Sequence, residues 1–463
     1  MSDRRLVRFA ATSARVVAGA AVATAAVVGT VVGIAAPWPE YAATPLRVEA
    51  TPAPSDTVLA CDGPLLALGR SADAAGSLSA AAAQQVVSGP ADSDPVTSGL
   101  TGATADASGD AEALRAAPRD GAPTPLAAAG SATAVSDDLT GFAASACRAP
   151  LAESWLVGGA TTTGANDLVE LANPGDVPAT VQLSVYGAQG VSQPPGGTNL
   201  VVPAGGRRVV PLAGLLLGEE SPVVRVVSSG APVHASLQAS LTRVLLPGGS
   251  DQVAPIAQAD TRLVIPGVQV LTSGQGQAGT VLRLLAPGAD ATATVTLSPL
   301  DPSATAPAAT QVPLTAGKPT SLDLSGLTAG AYTVEVDATA PVVGATWSTT
   351  GFGEGADFAW YVPTPRITTA GFVAVAPGVG AAVVVTAEAQ DATVTLTPTD
   401  GAAPIQASVP AGTSTAVAAA AGVYRLETSA AVRAAVTYSG AGALASYPLW
   451  PADAAAAALS VLP

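Results

Sequence analysis

The sequence predicts an all-β protein: tandem immunoglobulin-like antiparallel β-sandwich domains after an N-terminal transmembrane helix and a low-complexity tether. Three observations predict it. Residues 16–36 form an unbroken uncharged run. From Trp155 onward, Val, Leu and Thr alternate with polar residues at period two, the pattern of half-buried strands. One strand-rich unit also recurs three times, with turn clusters such as Asn173-Pro174-Gly175, Pro194-Pro195-Gly196-Gly197 and Ala376-Pro377-Gly378 between its strands. The expected division is 1–15 cytoplasmic N-terminus, 16–36 anchor, 37–150 tether, then sandwiches at 151–260, 261–368 and 369–463.

The anchor comes first. The run from Val16 to Ala36 (VVAGAAVATAAVVGTVVGIAA) has 21 residues, about 30 Å as a helix, which is the thickness of a bilayer core. Arg4, Arg5, Arg8 and Arg15 precede it against one acid, Asp3, so the positive-inside rule keeps the N-terminus cytoplasmic and exports the rest. Trp38 and Tyr41 follow where interfacial aromatics belong. A cleaved signal peptide is the alternative, but its apolar region is usually about 7–15 residues, and Pro37 and Tyr41 make a poor cleavage site. A lipidated Cys61 after Val58-Leu59-Ala60 is a weaker alternative, because its cysteine lies too far from the apolar run. The partners implied are the lipid bilayer, through Val16 to Ala36, and an envelope protein or glycan.

Export makes the cysteines legible. Two cysteines in an oxidising compartment pair, so Cys61 and Cys147 are expected to form a disulfide. The chain-entropy model credits a loop of that length with about 4.5 kcal/mol. Between them, residues 70–141 are rich in Ala, Gly, Ser, Asp and Thr. Stretches such as SGLTGATADASGD at 98–110 lack apolar periodicity, which reads as a mobile, disordered excursion. Residues 72–87 are Ala-rich enough for a short helix.

The repeats follow. Ala179-Thr180-Val181-Gln182-Leu183-Ser184 returns as Ala293-Thr294-Val295-Thr296-Leu297-Ser298 and as Ala392-Thr393-Val394-Thr395-Leu396-Thr397. Each is followed by an Ala-Gly turn, at Ala204-Gly205, Ala316-Gly317 and Ala411-Gly412. Gly330-Ala331-Tyr332-Thr333-Val334 then matches Gly422-Val423-Tyr424-Arg425-Leu426, while the first copy offers Ser221-Pro222-Val223-Val224-Arg225-Val226 without a tyrosine. The spacing is 114 residues from Val181 to Val295 and 99 from Val295 to Val394, a domain-sized repeat rather than a solenoid period. Tyr332 and Tyr424 sit where a sandwich places its tyrosine corner. Trp347, Trp360 and Trp450 are expected to pack in cores.

The motif Cys-x-Gly-Pro-Leu at 61–65, the second cysteine Cys147, Trp155-Leu156-Val157-Gly158-Gly159 and Leu171-Ala172-Asn173-Pro174-Gly175 resemble an actinobacterial family of single-pass envelope proteins, domain-of-unknown-function family 5719. The likeness covers most of the chain after Thr57. It implies export and an all-β fold, and supplies no catalytic residues.

Composition removes most chemistry. The net charge is −15 with only 11% charged residues, which excludes nucleic acid as a partner and argues against a coiled coil. One histidine and two cysteines do not make a four-ligand zinc site, and no cofactor motif is present. His234 occupies a position that holds Val343 and Arg433 in the other copies, an ordinary strand position. Lys318 lies in a Gly-Lys-Pro turn. Asp137-Asp138 and Glu219-Glu220 are adjacent loop acids, which are usually solvated. The expectation is therefore a non-catalytic protein. One segment suggests glycan binding: Phe352, Glu354, Asp357, Trp360 and Tyr361, acids beside aromatics that would make a sugar-stacking face. A hydrolase using such acids is the remaining alternative.

Overall fold

The computed structural model describes residues 3–36, 48–50, 54–69, 77–102, 111–244, 246–271, 279–440, 442–450 and 459–461. They fall into two compact units, one made of Met1–Pro52 with Ala457–Pro463, the other Ala53–Ala456. In the first unit, the helix Asp3–Ala35 contains a stretch, Ala10–Ala35, long and apolar enough to cross a membrane. Ala and Val dominate it and no proline interrupts it before Pro37. The Thr24 and Thr30 hydroxyls donate back to the Ala20 and Ala26 carbonyls, so both bond to the turn that precedes them. Trp38 and Tyr41 lie outside the described residues. Strands Val48–Ala50 and Leu459–Val461 pair antiparallel in this unit.

In the second unit the repeat becomes a strand order. In the copy that begins at Glu153–Val157, one sheet runs Glu153–Val157, Val223–Ser229, Ala179–Gly187, Leu200–Val202, and the other Gly206–Pro211, Leu168–Asn173, His234–Arg243, Leu246–Val253. Numbered along the copy, that is 1-6-3-4 and 5-2-7-8. The next copy repeats the order, with the single long strand Gly330–Thr349 serving as both sixth and seventh and Phe358–Tyr361 as eighth. The last copy repeats it again, ending in Val432–Gly440 and Ala443–Pro448. Among the described residues, all pairings between these strands are antiparallel. The first strand lies beside the sixth, where an immunoglobulin sheet sets it beside the second. The all-β expectation therefore stands with a strand order of its own.

The alternation places side chains as the sequence implied. Val181, Leu183 and Val185 are buried, while Gln182 between them is exposed. Leu183, Leu297 and Leu396 face Val226, Val334 and Leu426 across the sheet. Burying each such side chain contributes about 1.5–3 kcal/mol. This register makes Val224, one residue on from the sequence alignment, the counterpart of Tyr332 and Tyr424. Both tyrosine hydroxyls donate to a carbonyl four residues upstream, Thr328 at 2.9 Å and Ala420 at 2.8 Å.

The expected disordered excursion at 70–141 is corrected. Apart from 70–76 and 103–110, which lie outside the described residues, it is built of strands: Leu78–Ala82, Gln85–Gly89, Val96–Leu100, Ala111–Ala116 and Ala127–Val135. One sheet runs Thr57–Ala60, Ala111–Ala116, Val96–Leu100, and another Gln85–Gly89, Ala127–Val135, Thr140–Cys147. These are orders 1-6-3 and 2-7-8, so this region is a fourth, abbreviated copy. The hairpin of Leu65–Leu68 with Leu78–Ala82 is inserted after its first strand. Within the Ala-rich 72–87 stretch, the described residues include strand at 78–82 and 85–87 and no helix. Many side chains buried in this copy are small, Ala128, Ala129, Ala132, Ala143 and Ala144 among them. Alanine scarcely registers as apolar in a periodicity, and here it lets neighbouring sheets approach closely. Ala127, Ala129, Phe142 and Ala144 complete the core of the last copy.

The eighth strands organise the body. Thr140–Cys147 packs on Leu246–Val253, which packs on Phe358–Tyr361, which packs on Ala443–Pro448, which returns to Thr140–Cys147. Four copies thus close around one line of contact.

Candidate functional site

The eighth strands bring an acid to their common centre. Asp357 is fully buried. Its Oδ2 accepts the backbone N–H of Phe142 and of Leu444, both at 3.1 Å, and its Oδ1 accepts that of Ser250 at 3.2 Å. One carboxylate therefore joins the eighth strands of the other three copies. Those three donors each follow the residue equivalent to Asp357, namely Gly141, Ala443 and Gly249. A Cβ on Gly141 or on Gly249 would lie 2.7 Å from Asp357 Oδ1, and both glycines have positive φ, +135 and +111. The centre admits one side chain, so the equivalent positions are glycine or alanine. Burial pushes the Asp357 carboxyl up to about 7, against the pull of the Phe142, Leu444, Phe358 and Ser250 N–H groups.

One step along the strands, Asp251 is also fully buried, and its Oδ2 accepts the Trp360 N–H at 2.7 Å. Burial holds Asp251 well above the usual carboxylate range, with the negative charges of Asp357 and Asp62 adding to the shift.

Beside this axis, polar side chains of the second copy grip the Cys-x-Gly-Pro-Leu segment of the first. His234 Nε2 lies 2.6 Å from Asp62 Oδ1. Arg207 donates to the Asp62 carbonyl at 2.6 Å and pairs with Glu170 at 2.6 Å, both side chains buried. Gln252 donates to the Gly63 carbonyl at 3.1 Å. Gln238 accepts from the Leu66 N–H and donates to the Leu66 carbonyl, each at 2.7 Å, imitating a neighbouring strand. Gly63 has φ +87, and a Cβ there would sit 2.7 Å from that of Ala111. Burial alone would raise the Asp62 carboxyl, but the hydrogen bond and charge of His234 hold it below its usual range. The Cys61–Cys147 disulfide closes the same corner, linking positions 86 apart, and Arg148 next to it stacks on Trp450 with 3.6 Å to the ring centroid.

The five residues expected as a sugar-stacking face do not share one, and that expectation is corrected. Asp357, Trp360 and Tyr361 are buried, Phe352 is half-buried under the Arg243 guanidinium, and only Glu354 is exposed. Phe358–Tyr361 is an eighth strand, covered on both sides by neighbouring copies, so its aromatics face cores. Glu354 instead joins Asp137 and Asp138 on the wall of an open basin of about 1150 Å³ at the tips of the terminal hairpins. Glu219 is held by the N–H groups of Ala188 and Ser221, not paired with Glu220, and Lys318 is exposed in its turn.

A second cavity, of about 260 Å³, lies in the seam between the second and third copies, with Asp167, Arg283, Trp347, Phe358 and Trp360 on its wall. Sequence reasoning missed Asp167 and Arg283, along with Asp62, Arg207, Gln238 and Gln252. The quoted Cys-x-Gly-Pro-Leu motif was the one available signal, marking the gripped segment without naming the residues that grip it. Among the described residues no group of three or more His, Cys, Asp or Glu is placed to hold a metal ion.

A family model described as a family of unknown function, DUF5719, matches residues 102–420, from within the abbreviated copy into the last one. No curated protein matches the chain. Because that match spans more than half of the 463 residues, the chain belongs to DUF5719.

Proposed function

We propose that the protein is a non-catalytic scaffold of the cell envelope, anchored by one transmembrane helix with its β body outside the cytoplasm. The observation that carries this reading is how the buried ionisable groups are used. Asp357 accepts three backbone N–H groups, Asp62 and His234 hold each other, and Arg283 donates to three carbonyls. These groups fasten one copy to the next, which suits a load-bearing or presenting body. The helix with its preceding arginines supports the orientation, and the disulfide suits an oxidising compartment. Protease treatment of wall-stripped intact cells tests it. Digestion down to the anchor is expected, together with an N-terminus that still begins ahead of Val16. A body protected until the cells are lysed overturns the topology. Mature chains that start beyond Ala36 overturn the anchor.

A further inference from the structure

The seam cavity has the build of a ligand slot. Its aromatic wall is Trp347, Phe358 and Trp360. Phe358 and Trp360 are buried, whereas Trp347 is half-buried, its ring 6.2 Å from that of Phe358. In a chain with only 4% aromatic residues, Trp347 packs on the core and still leaves part of its indole open at the cavity wall.

The polar end is fixed before any ligand arrives. Asp167 accepts the Ala160 N–H at 2.6 Å through Oδ2 and the Ser240 N–H at 2.8 Å through Oδ1. A carboxylate offers about four lone-pair sites, so both oxygens keep capacity for a ligand hydroxyl. Arg283 donates to the carbonyls of Gly159, Pro222 and Glu220 at 2.9–3.0 Å. It is 6% exposed, and its Nε has no partner. Ser221 and Ser321 meet across the seam at 3.1 Å, adding hydroxyls at the mouth.

The ligand's chemistry follows from three features. Arg283 and Asp167 place opposite charges in one slot, so neither an anion nor a cation gains from it as a whole. The Arg283 guanidinium already lies over the Trp360 ring, 4.7 Å from its centroid, so the seat that a quaternary ammonium would take on that ring is filled. The volume, about 260 Å³, falls just under the usual range of about 300–1,000 Å³ for small-molecule sites, which suits one ring rather than a chain. A pyranose presents a C–H face to an indole and hydroxyls at its rim.

We propose that this slot binds a single neutral hexopyranose unit, stacked on Trp347 with a hydroxyl donated to Asp167. The proposal goes beyond the scaffold reading and does not depend on the topology that reading requires. The test uses the full chain in detergent, titrated with the methyl glycosides of glucose, mannose and galactose and with N-acetylglucosamine. Saturation-transfer NMR and tryptophan fluorescence report binding. At least one probe is expected to saturate, with affinity about tenfold weaker, or about 1.4 kcal/mol, in Trp347→Leu. Ser321→Trp, which fills the mouth without removing buried packing, is expected to abolish binding while leaving the thermal midpoint unchanged. The proposal is overturned if no neutral glycoside binds at tens of millimolar. It is also overturned if choline or glucuronate binds in their place, or if binding survives Ser321→Trp.

Discussion

Replacing Asp357 tests the central assembly directly. In Asp357→Ala three buried N–H groups, those of Phe142, Leu444 and Ser250, lose their acceptor. Each buried donor left unmade costs about 1–3 kcal/mol, so the loss is at least about 3 kcal/mol, a large share of the 5–15 kcal/mol typical of a folded domain. Asp357→Asn is milder. Its carbonyl oxygen can keep Phe142 and Leu444, but its amide then meets the Ser250 N–H donor to donor, costing about 1–3 kcal/mol. The two variants also differ from wild type in pH dependence. Burial raises the Asp357 carboxyl to about 7 in the folded chain, from 3.8, so between about pH 4 and 7 the folded state binds a proton that the unfolded state has released. Stability from this group is complete below about pH 4 and falls as pH rises toward 7, by at most about 1.4 kcal/mol per pH unit. Asparagine has no such titration. Urea unfolding of the full chain in detergent, followed by tryptophan fluorescence at several values between pH 4 and 8, therefore should show the gap between wild type and Asp357→Asn widest at low pH. An unchanged pH slope in Asp357→Asn, or an Asp357→Ala variant as stable as wild type, would refute the reasoning.

Three further outcomes follow from the same geometry. His234→Ala leaves the buried Asp62 carboxylate without its partner, which should cost about 3–5 kcal/mol; the urea midpoint at neutral pH reads it, and a loss under 1 kcal/mol argues against the grip. Because Asp62 lies below its usual pKa in the folded state, its contribution is present above about pH 4 and lost below it. The paired variant Cys61→Ser, Cys147→Ser should lose about 2–5 kcal/mol, measured as a lower thermal midpoint than that of the oxidised chain. Tyr332→Phe and Tyr424→Phe each remove one hydrogen bond to a carbonyl, worth about 0.5–1.5 kcal/mol; lying in different copies they should add, and a double variant departing from the sum by more than about 0.5 kcal/mol would reveal coupling between the copies.

What the sequence disclosed depended on side-chain size. Three copies were legible because Val181, Leu183 and their counterparts are large, branched apolar residues set against Thr and Gln. The fourth was hidden because the same inward positions hold alanines such as Ala129 and Ala143, which read alike in strand, helix or loop. Its order arises from contacts with other copies, and no local window contains those. The disulfide was legible because export and a cysteine count of two leave one pairing. The misread segment was 352–361. Acids next to aromatics describe a glycan face or a core strand equally well, and only the packing of Phe358–Tyr361 between neighbouring eighth strands decides. His234 reads as an ordinary strand position, and its contact with Asp62 was invisible, since Asp62 stands 172 positions away.

Four copies around one axis could share identical central residues only if those residues were small. Two carboxylates facing each other there would repel in a medium that screens little, and one of the pair would be forced to stay protonated. The chain instead has one carboxylate at the Asp357 layer, with Gly141, Gly249 and Ala443 making room for it, and one at the Asp251 layer, where the equivalents are Ala143, Ala359 and Ala445. Each layer is thus asymmetric by necessity. A single acceptor in the middle serves donors from several strands, while a symmetric set would leave either crowding or orphaned N–H groups. The same asymmetry makes the copies non-interchangeable. The third copy supplies the Asp357 acceptor, the second supplies the grip on residues 62–66, and the first supplies the gripped segment and the disulfide. A repeat whose copies have divided such tasks folds as one cooperative body, so removing the abbreviated first copy should unfold the other three rather than leave three stable domains.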